Sequence, residues 1–154
     1  MKNTFFALLV IFFISCGNDD EPVDYITEND KEIKAYLEQN NLEAEKSSSG
    51  LYYIIEDEGT GERPTATDRV RVAYKGYFTN GMVFDQSTSE GVSFGLQQVI
   101  KGWTEGITYF KEGGSGLLLV PSHLGYGFQN YRSIPGGSVL IFEINLIEVV
   151  GGDN

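Results

Sequence analysis

By residue type, the reactive side chains in this 154-residue chain are few: one cysteine, Cys16, and one histidine, His123. One of each provides neither an intramolecular disulfide nor the three or four ligands of a structural zinc site. His123 has no serine or acid partner in a triad motif and reads as a loop residue. Asp19-Asp20-Glu21 lacks the loop spacing of a calcium site, and Gly59-Thr60-Gly61 lacks the strand-turn-helix context of a phosphate loop. Metal and triad chemistry are therefore largely excluded, and neither a metal nor a cofactor is expected. With 22 acidic against 11 basic residues and a formal net charge of -11, the chain also lacks the clustered cations that a phosphate backbone requires, so nucleic acid is excluded as a partner. The composition, 41 % hydrophobic and 13 % aromatic, is enough to bury a core within one domain.

The elements that position these residues divide into an address, an arm and a body. Lys2 precedes an unbroken apolar run from Phe5 to Ile14, which reads as a secretory signal over residues 1–15. Ten residues at a rise of about 1.5 Å cover only half of a hydrocarbon core of about 30 Å, so removal of the segment is expected rather than a retained span. Residues 16–49 are read as an acidic tether and a short helix. Residues 17 to 58 hold 13 of the 22 acids against three lysines, whereas residues 59 to 154 are nearly balanced. Gly17 to Pro22 has no residue able to join a core and reads as a solvated tether. Thr27 with Asp30 three residues on suggests a helix N-cap, with Ile33, Tyr36 and Leu37 on one face and Asn40-Asn41 as its end.

From residue 50 to 150 strands dominate, with a tail over 151–154. Leu51 to Ile55 is β-rich. Val70, Val72, Tyr74, Gly76 and Phe78 alternate with Arg69, Arg71, Lys75 and Tyr77, the period of a half-buried strand. Asn80-Gly81 is a strong hairpin signal leading into Met82 to Asp85. Val92 to Leu96 and Gly116 to Val120 are further strands, and Gly102 to Phe110 is the one helix expected in the body. The four small residues Gly113 to Gly116 suggest a mobile turn. In the last strand Leu140, Phe142, Ile144 and Leu146 share one face. Antiparallel strands around one short helix make an α+β domain.

Two resemblances follow from motifs in this order. Phe13-Ile14-Ser15-Cys16 resembles the lipobox of bacterial lipoproteins, which implies a lipid on Cys16 and anchorage to a membrane. The acidic stretch after it is similar to export signals of surface lipoproteins in Bacteroidetes. Tyr74-Lys75-Gly76-Tyr77 with Gly81 to Asp85, Phe94 before Val99 to Gly106, then Pro121, Tyr126-Gly127 and Ile134-Pro135 together resemble the FK506-binding-protein type of peptidyl-prolyl isomerase. The combined layout is similar to lipoprotein isomerases of Bacteroidetes, some of them linked to gliding motility.

That resemblance implies a strongly curved antiparallel sheet wrapped around the short helix, with an apolar hollow between them and the N-terminal helical arm beside it. It implies Trp103 as the floor, Tyr74, Phe84, Phe94, Val99, Ile100 and Phe142 as walls, and Tyr126 and Ile134 from the long loop. Asp85 is the polar group beside Phe84, and the Ile100 N–H faces a substrate carbonyl. Tyr74, Phe84, Asp85, Trp103 and Tyr126 carry the activity by this resemblance, while Val99 and Phe142 serve equally well as packing residues. Expected partners are proline-containing polypeptides, FK506-like macrolides, and a membrane through Cys16. The expected location is the outer membrane of a cell envelope, on its periplasmic or surface face. A non-catalytic module that holds proline-bearing segments in an envelope or motility assembly is the alternative. Two departures bear on the site. Relatives place an Arg after the carboxylate, so here the Tyr74 hydroxyl is the candidate donor to Asp85. Val92, where relatives have a second aromatic, implies a smaller wall and weaker macrolide binding.

Overall fold

The computed structural model describes residues 22–151; the apolar run expected to be a leader, Cys16 with the segment that resembles a lipobox, the acidic stretch up to Glu21 and residues 152–154 lie outside the described residues. The chain runs α1 (Tyr25–Gln39), β1 (Glu45–Lys46), β2 (Tyr52–Asp57), β3 (Arg69–Tyr77), β4 (Val83–Gln86), β5 (Val92–Gly95), α2 (Lys101–Gly106), β6 (Ser115–Val120) and β7 (Leu140–Gly151). The strands form one antiparallel sheet in the order β1-β2-β6-β7-β3-β4, with β5 also paired to β3. This is the α+β arrangement expected, a curved antiparallel sheet around one short body helix.

The alternation of β7 decides where the core sits. Leu140, Phe142, Ile144 and Leu146 point to the concave face and pack with Val70, Val72, Leu118, Trp103, Ile107 and Phe110. Ile141, with Val139 just ahead of the strand, points to the convex face, where Leu117, Leu119 and Tyr52 meet Ile33 and Leu37 of α1. Both faces are thus covered, the concave one by α2 and part of the convex one by α1. Spacing of four along α1 puts Asn29, Ile33 and Leu37 on its one buried stripe. The helix begins earlier than Thr27. Asp24 is the N-cap, accepting from the N–H groups of Ile26 and Thr27, while the Thr27 hydroxyl donates back to the Asp24 carboxylate. Asp30, expected to support the cap, instead pairs with Lys34 and Lys46 and accepts from the Tyr52 hydroxyl.

Two further differences from the sequence reading have local causes. The body helix is α-helical only over Lys101–Gly106 and tightens into a 3-10 turn over Ile107–Tyr109. A Cβ at Gly106 would come within 2.7 Å of Leu118, so this residue lets α2 lie directly on β6. Gly113 to Gly116 run from a turn directly into a strand. Ser115 and Gly116 are already in β6, paired to β2 and β7. Before them, the Gly113 N–H donates to Leu146 O and the Leu146 N–H to Gly114 O, 2.8 and 2.9 Å. The absence of side chains at Gly114 and Gly116 allows close approach of the neighbouring backbones.

Candidate active site

The site is built where β3 changes partners. Arg69 to Val72 pair with β5, and Lys75 to Tyr77 pair with β4, so β4 and β5 act as one edge strand interrupted by residues 87–91. At the interruption Ser87 grips Tyr74: the Tyr74 N–H donates to Ser87 Oγ at 2.9 Å and the Ser87 N–H to Tyr74 O at 3.0 Å. Tyr74 therefore has Asp85 on one side and Phe94 on the other. Its hydroxyl donates to Asp85 Oδ2 at 2.7 Å, the substitution for the missing Arg that the sequence suggested. Burial first, and the hydrogen bond to Asp85 second, raise the Tyr74 phenol well above its usual range.

Trp103, the third residue of α2, is only 4 % exposed and meets three rings edge to face: Tyr74 at 5.1 Å and 87°, Phe94 at 5.3 Å and 83°, Phe142 at 5.3 Å and 80°. Flat rings crossing at right angles leave space that aliphatic side chains would fill. The result is a hollow of about 100 Å³ lined by Tyr74, Asp85, Phe94, Val99, Ile100, Trp103, Tyr126 and Phe142. Trp103 Nε1 is buried without a hydrogen-bond partner among the described residues, a cost that functional sites tolerate and plain cores avoid. The Ile100 N–H, at the N-cap of α2, also finds no partner among the described residues and is free to donate to a ligand carbonyl.

Of the ten residues expected around the hollow, these eight meet at one place. Phe84 and Ile134 stand behind them. The Phe84 ring lies 5.6 Å from Phe142 and 5.0 Å from Phe78, bracing the wall from outside. A Cβ at Gly76 would lie 2.7 Å from Phe84 and 2.9 Å from Phe142, so the absence of a side chain there makes room for both rings. Ile134 is 7 % exposed and packs into the concave core under the long loop. Val92 is 43 % exposed on β5 and does not reach the lining of the hollow. His123 lies on the short turn Ser122–Leu124, its Nε2 2.9 Å from Ser49 O. One contributor was missed in the sequence. Tyr131 stacks on Tyr126 at 4.8 Å and 8°, and no periodicity in the loop foretells that contact. Burial first, and the neighbouring Tyr131 second, push the Tyr126 phenol up.

A larger groove of about 530 Å³ opens on the uncovered part of the convex face. Its lining mixes the polar Glu56, Lys75, Glu143 and Asn145 with Leu117 and the tyrosines Tyr36, Tyr74 and Tyr77, and it lacks the tryptophan and phenylalanine rings of the concave side.

Comparisons with known proteins identify the family. The description of the FKBP-type peptidyl-prolyl cis-trans isomerase family matches residues 60–147. The chain is 45 % identical over 109 residues to the FKBP-type peptidyl-prolyl cis-trans isomerase FkpA of Buchnera aphidicola from Acyrthosiphon pisum, covering 70 % of this chain and 45 % of that protein. To FkpA of Escherichia coli K12 it is 40 % identical over 126 residues, covering 79 % and 47 %. It thus spans about half the length of the curated relatives it matches. Among solved structures, FkpA from Escherichia coli aligns with a TM-score of 0.74 and 38 % identity over 83 % of this chain and 62 % of that one. A peptidyl-prolyl cis-trans isomerase from Pseudomonas syringae pv. tomato aligns with a TM-score of 0.70 and 31 % identity over 84 % and 97 %. With more than half its length matched in the same order as the strands and helix that enclose the hollow, this chain belongs to the FKBP-type peptidyl-prolyl cis-trans isomerase family.

Proposed function

We propose that the chain is a peptidyl-prolyl cis-trans isomerase that accelerates folding of exported proteins from a membrane anchor, a lipid on Cys16, at the outer membrane of a cell envelope. The observation that carries the catalytic part is the hollow of converging aromatic rings with an N–H at its rim that has no partner among the described residues. Rotation about an X–Pro bond faces about 18–20 kcal/mol because of amide resonance, yet it makes and breaks no covalent bond. In the twisted state conjugation is lost and the imide becomes less polar, so a desolvating pocket favours it over the planar form held by water. A 10⁴-fold acceleration needs about 5.5 kcal/mol of such preference. Trp103, Phe94, Phe142 and Tyr126 supply the apolar surround. The Ile100 N–H takes the carbonyl that precedes the rotating bond, and Tyr74 holds Asp85 at the edge rather than letting it draw water inward. Proline-containing polypeptides are the substrates, and FK506-like macrolides are the ligands that the same cradle accepts. Uncatalysed isomerisation takes about 10–100 s, slow enough to limit folding after export.

The test is a proline-limited refolding assay with the protein in detergent. A dose-dependent rate above buffer is expected. A folded protein that binds proline peptides but leaves the rate at the buffer value would assign it to non-catalytic binding instead. The anchor is tested separately, by metabolic labelling with a palmitate analogue: label on the wild type and not on Cys16→Ser is expected, and label on both removes the anchor. Protease shaving of intact cells distinguishes the surface face from the periplasmic one.

A further inference from the structure

The loop from Pro121 to Val139 carries Tyr126 and Ile134, and its backbone is closed into a ring by a side chain of α1. Asn29 is 2 % exposed and Ser122 is 1 % exposed. Asn29 Nδ2 donates to Gly137 O at 2.8 Å. Asn29 Oδ1 accepts from the Ser122 N–H at 2.8 Å and from Ser122 Oγ at 2.6 Å. On the loop side, Ser122 O accepts from the N–H groups of Gly125 and Gly127 at 3.0 and 2.8 Å, and Gly127 O accepts from the Gly137 N–H at 2.9 Å. The circuit Asn29, Ser122, Gly127, Gly137 and back to Asn29 is complete, and Tyr126 sits between two glycines that it holds. A neutral amide suits the junction because one side chain must both donate to a carbonyl and accept from an N–H and a hydroxyl. Tyr25 closes the same end of the loop: it stacks on Phe128 at 5.2 Å, and a Cβ at Gly137 would lie 1.9 Å from its ring.

We infer that Asn29 is a positioning residue for the hollow, acting through Ser122 and Gly137 to hold Tyr126 in its wall, so that α1 tunes the site from the opposite face of the sheet. This role rests on the reading of the hollow as the isomerase site. It makes α1 more than a cover for Leu119 and Ile141, since the buried polar ring would be costly to leave half-satisfied.

The experiment is a double-mutant cycle on the full chain in detergent, with Asn29→Ala, Tyr126→Ala and the pair. It is read by kcat/KM on a proline tetrapeptide and by amide hydrogen exchange. Each single change is expected to lower kcat/KM by about tenfold, and the pair no further than Tyr126→Ala alone, because coupled residues do not add. Exchange at the Gly125, Gly127 and Gly137 amides is expected to accelerate by about tenfold in Asn29→Ala, with the amides of Ile141 to Leu146 unchanged. Glu32→Ala removes a different tie from α1, the one to the Thr79 hydroxyl, and is expected to leave kcat/KM within about twofold. Additive losses in the cycle, or unchanged exchange at the three glycines, overturn the role. Should Asn29→Ala fail to fold, Asn29→Asp keeps the acceptor for Ser122, loses the donor to Gly137, and is read in the same way. A wild type without turnover removes the isomerase reading alone, and the exchange rates then decide the positioning role.

Discussion

The concave and convex faces of this sheet are made by alternate residues of the same strands, yet on one side converging rings line a hollow and on the other α1 packs on aliphatic side chains, with an open groove beside it. On the concave side Trp103 meets Tyr74, Phe94 and Phe142 at 80° to 87°, and the rings enclose space they do not fill. On the convex side Ile33 and Leu37 pack with Leu117, Leu119, Ile141 and Tyr52, with Asn29 meeting polar partners beside them. The difference shows that a binding site here is a matter of side-chain shape as much as of hydrophobicity.

Variants on the two faces should therefore separate activity from stability. The largest effect is expected for Trp103→Ala, which removes the common partner of three rings; kcat/KM should fall by about 100-fold, or about 2.7 kcal/mol in the transition state, while far-UV circular dichroism stays native-like. Retained activity would mean that the hollow is not where the prolyl bond turns. Next comes Ile33→Ala on the convex side, expected to cost about 2–3 kcal/mol in urea unfolding while kcat/KM of the folded fraction changes less than twofold. A comparable loss of turnover would show that the faces are coupled through packing and not only through Asn29. Tyr74→Phe leaves the ring but removes the donor to Asp85, and a decrease of about fivefold in kcat/KM, near 1 kcal/mol, is expected. Because the Tyr74 phenol is raised in the folded state, its stabilising contribution is fully present below its ordinary value of 10.0 and is lost only as pH rises above that; activity should not fall on its account below pH 10.

The smallest effect concerns Asp30, where hydrogen bonds from Lys34, Lys46 and Tyr52 hold the carboxyl far below the ordinary 3.8. Its contribution is present above that ordinary value and is lost as pH falls toward the lowered folded one, so thermal stability of the wild type should decline in strong acid more than that of Asp30→Asn. At neutral pH the substitution is expected to cost less than about 1 kcal/mol, since these ion pairs are partly exposed.

Much of the concave face was legible because its information is local. The alternation of β3 and β7, the Asn80-Gly81 hairpin and the order of the aromatic segments each lie within a short run of sequence, and even the Tyr74–Asp85 bond followed from a missing Arg. Other features were not legible. The apolar spacing of Ile33 and Leu37 announces a helix with one greasy side but not which surface receives it. Thr27 passed for a cap because Asp24, three residues earlier, was equally able to accept the first amides. The run Gly113 to Gly116 does not announce in sequence that Gly114 and Gly116 lie against the backbones of Glu58 and Ile54.

What the sequence determined by itself was the inventory: strands by their period, turns by their residue types, and a set of rings with no reactive partner among them. What only the tertiary structure decided was which of those rings stand at right angles, that Phe84 and Ile134 brace rather than line the hollow, and that Asn29 reaches both ends of the loop bearing Tyr126. The reason is range. Periodicity and turn chemistry act between neighbours along the chain, whereas ring angles and the circuit from α1 to Gly137 arise only when segments far apart in sequence are packed against the same sheet.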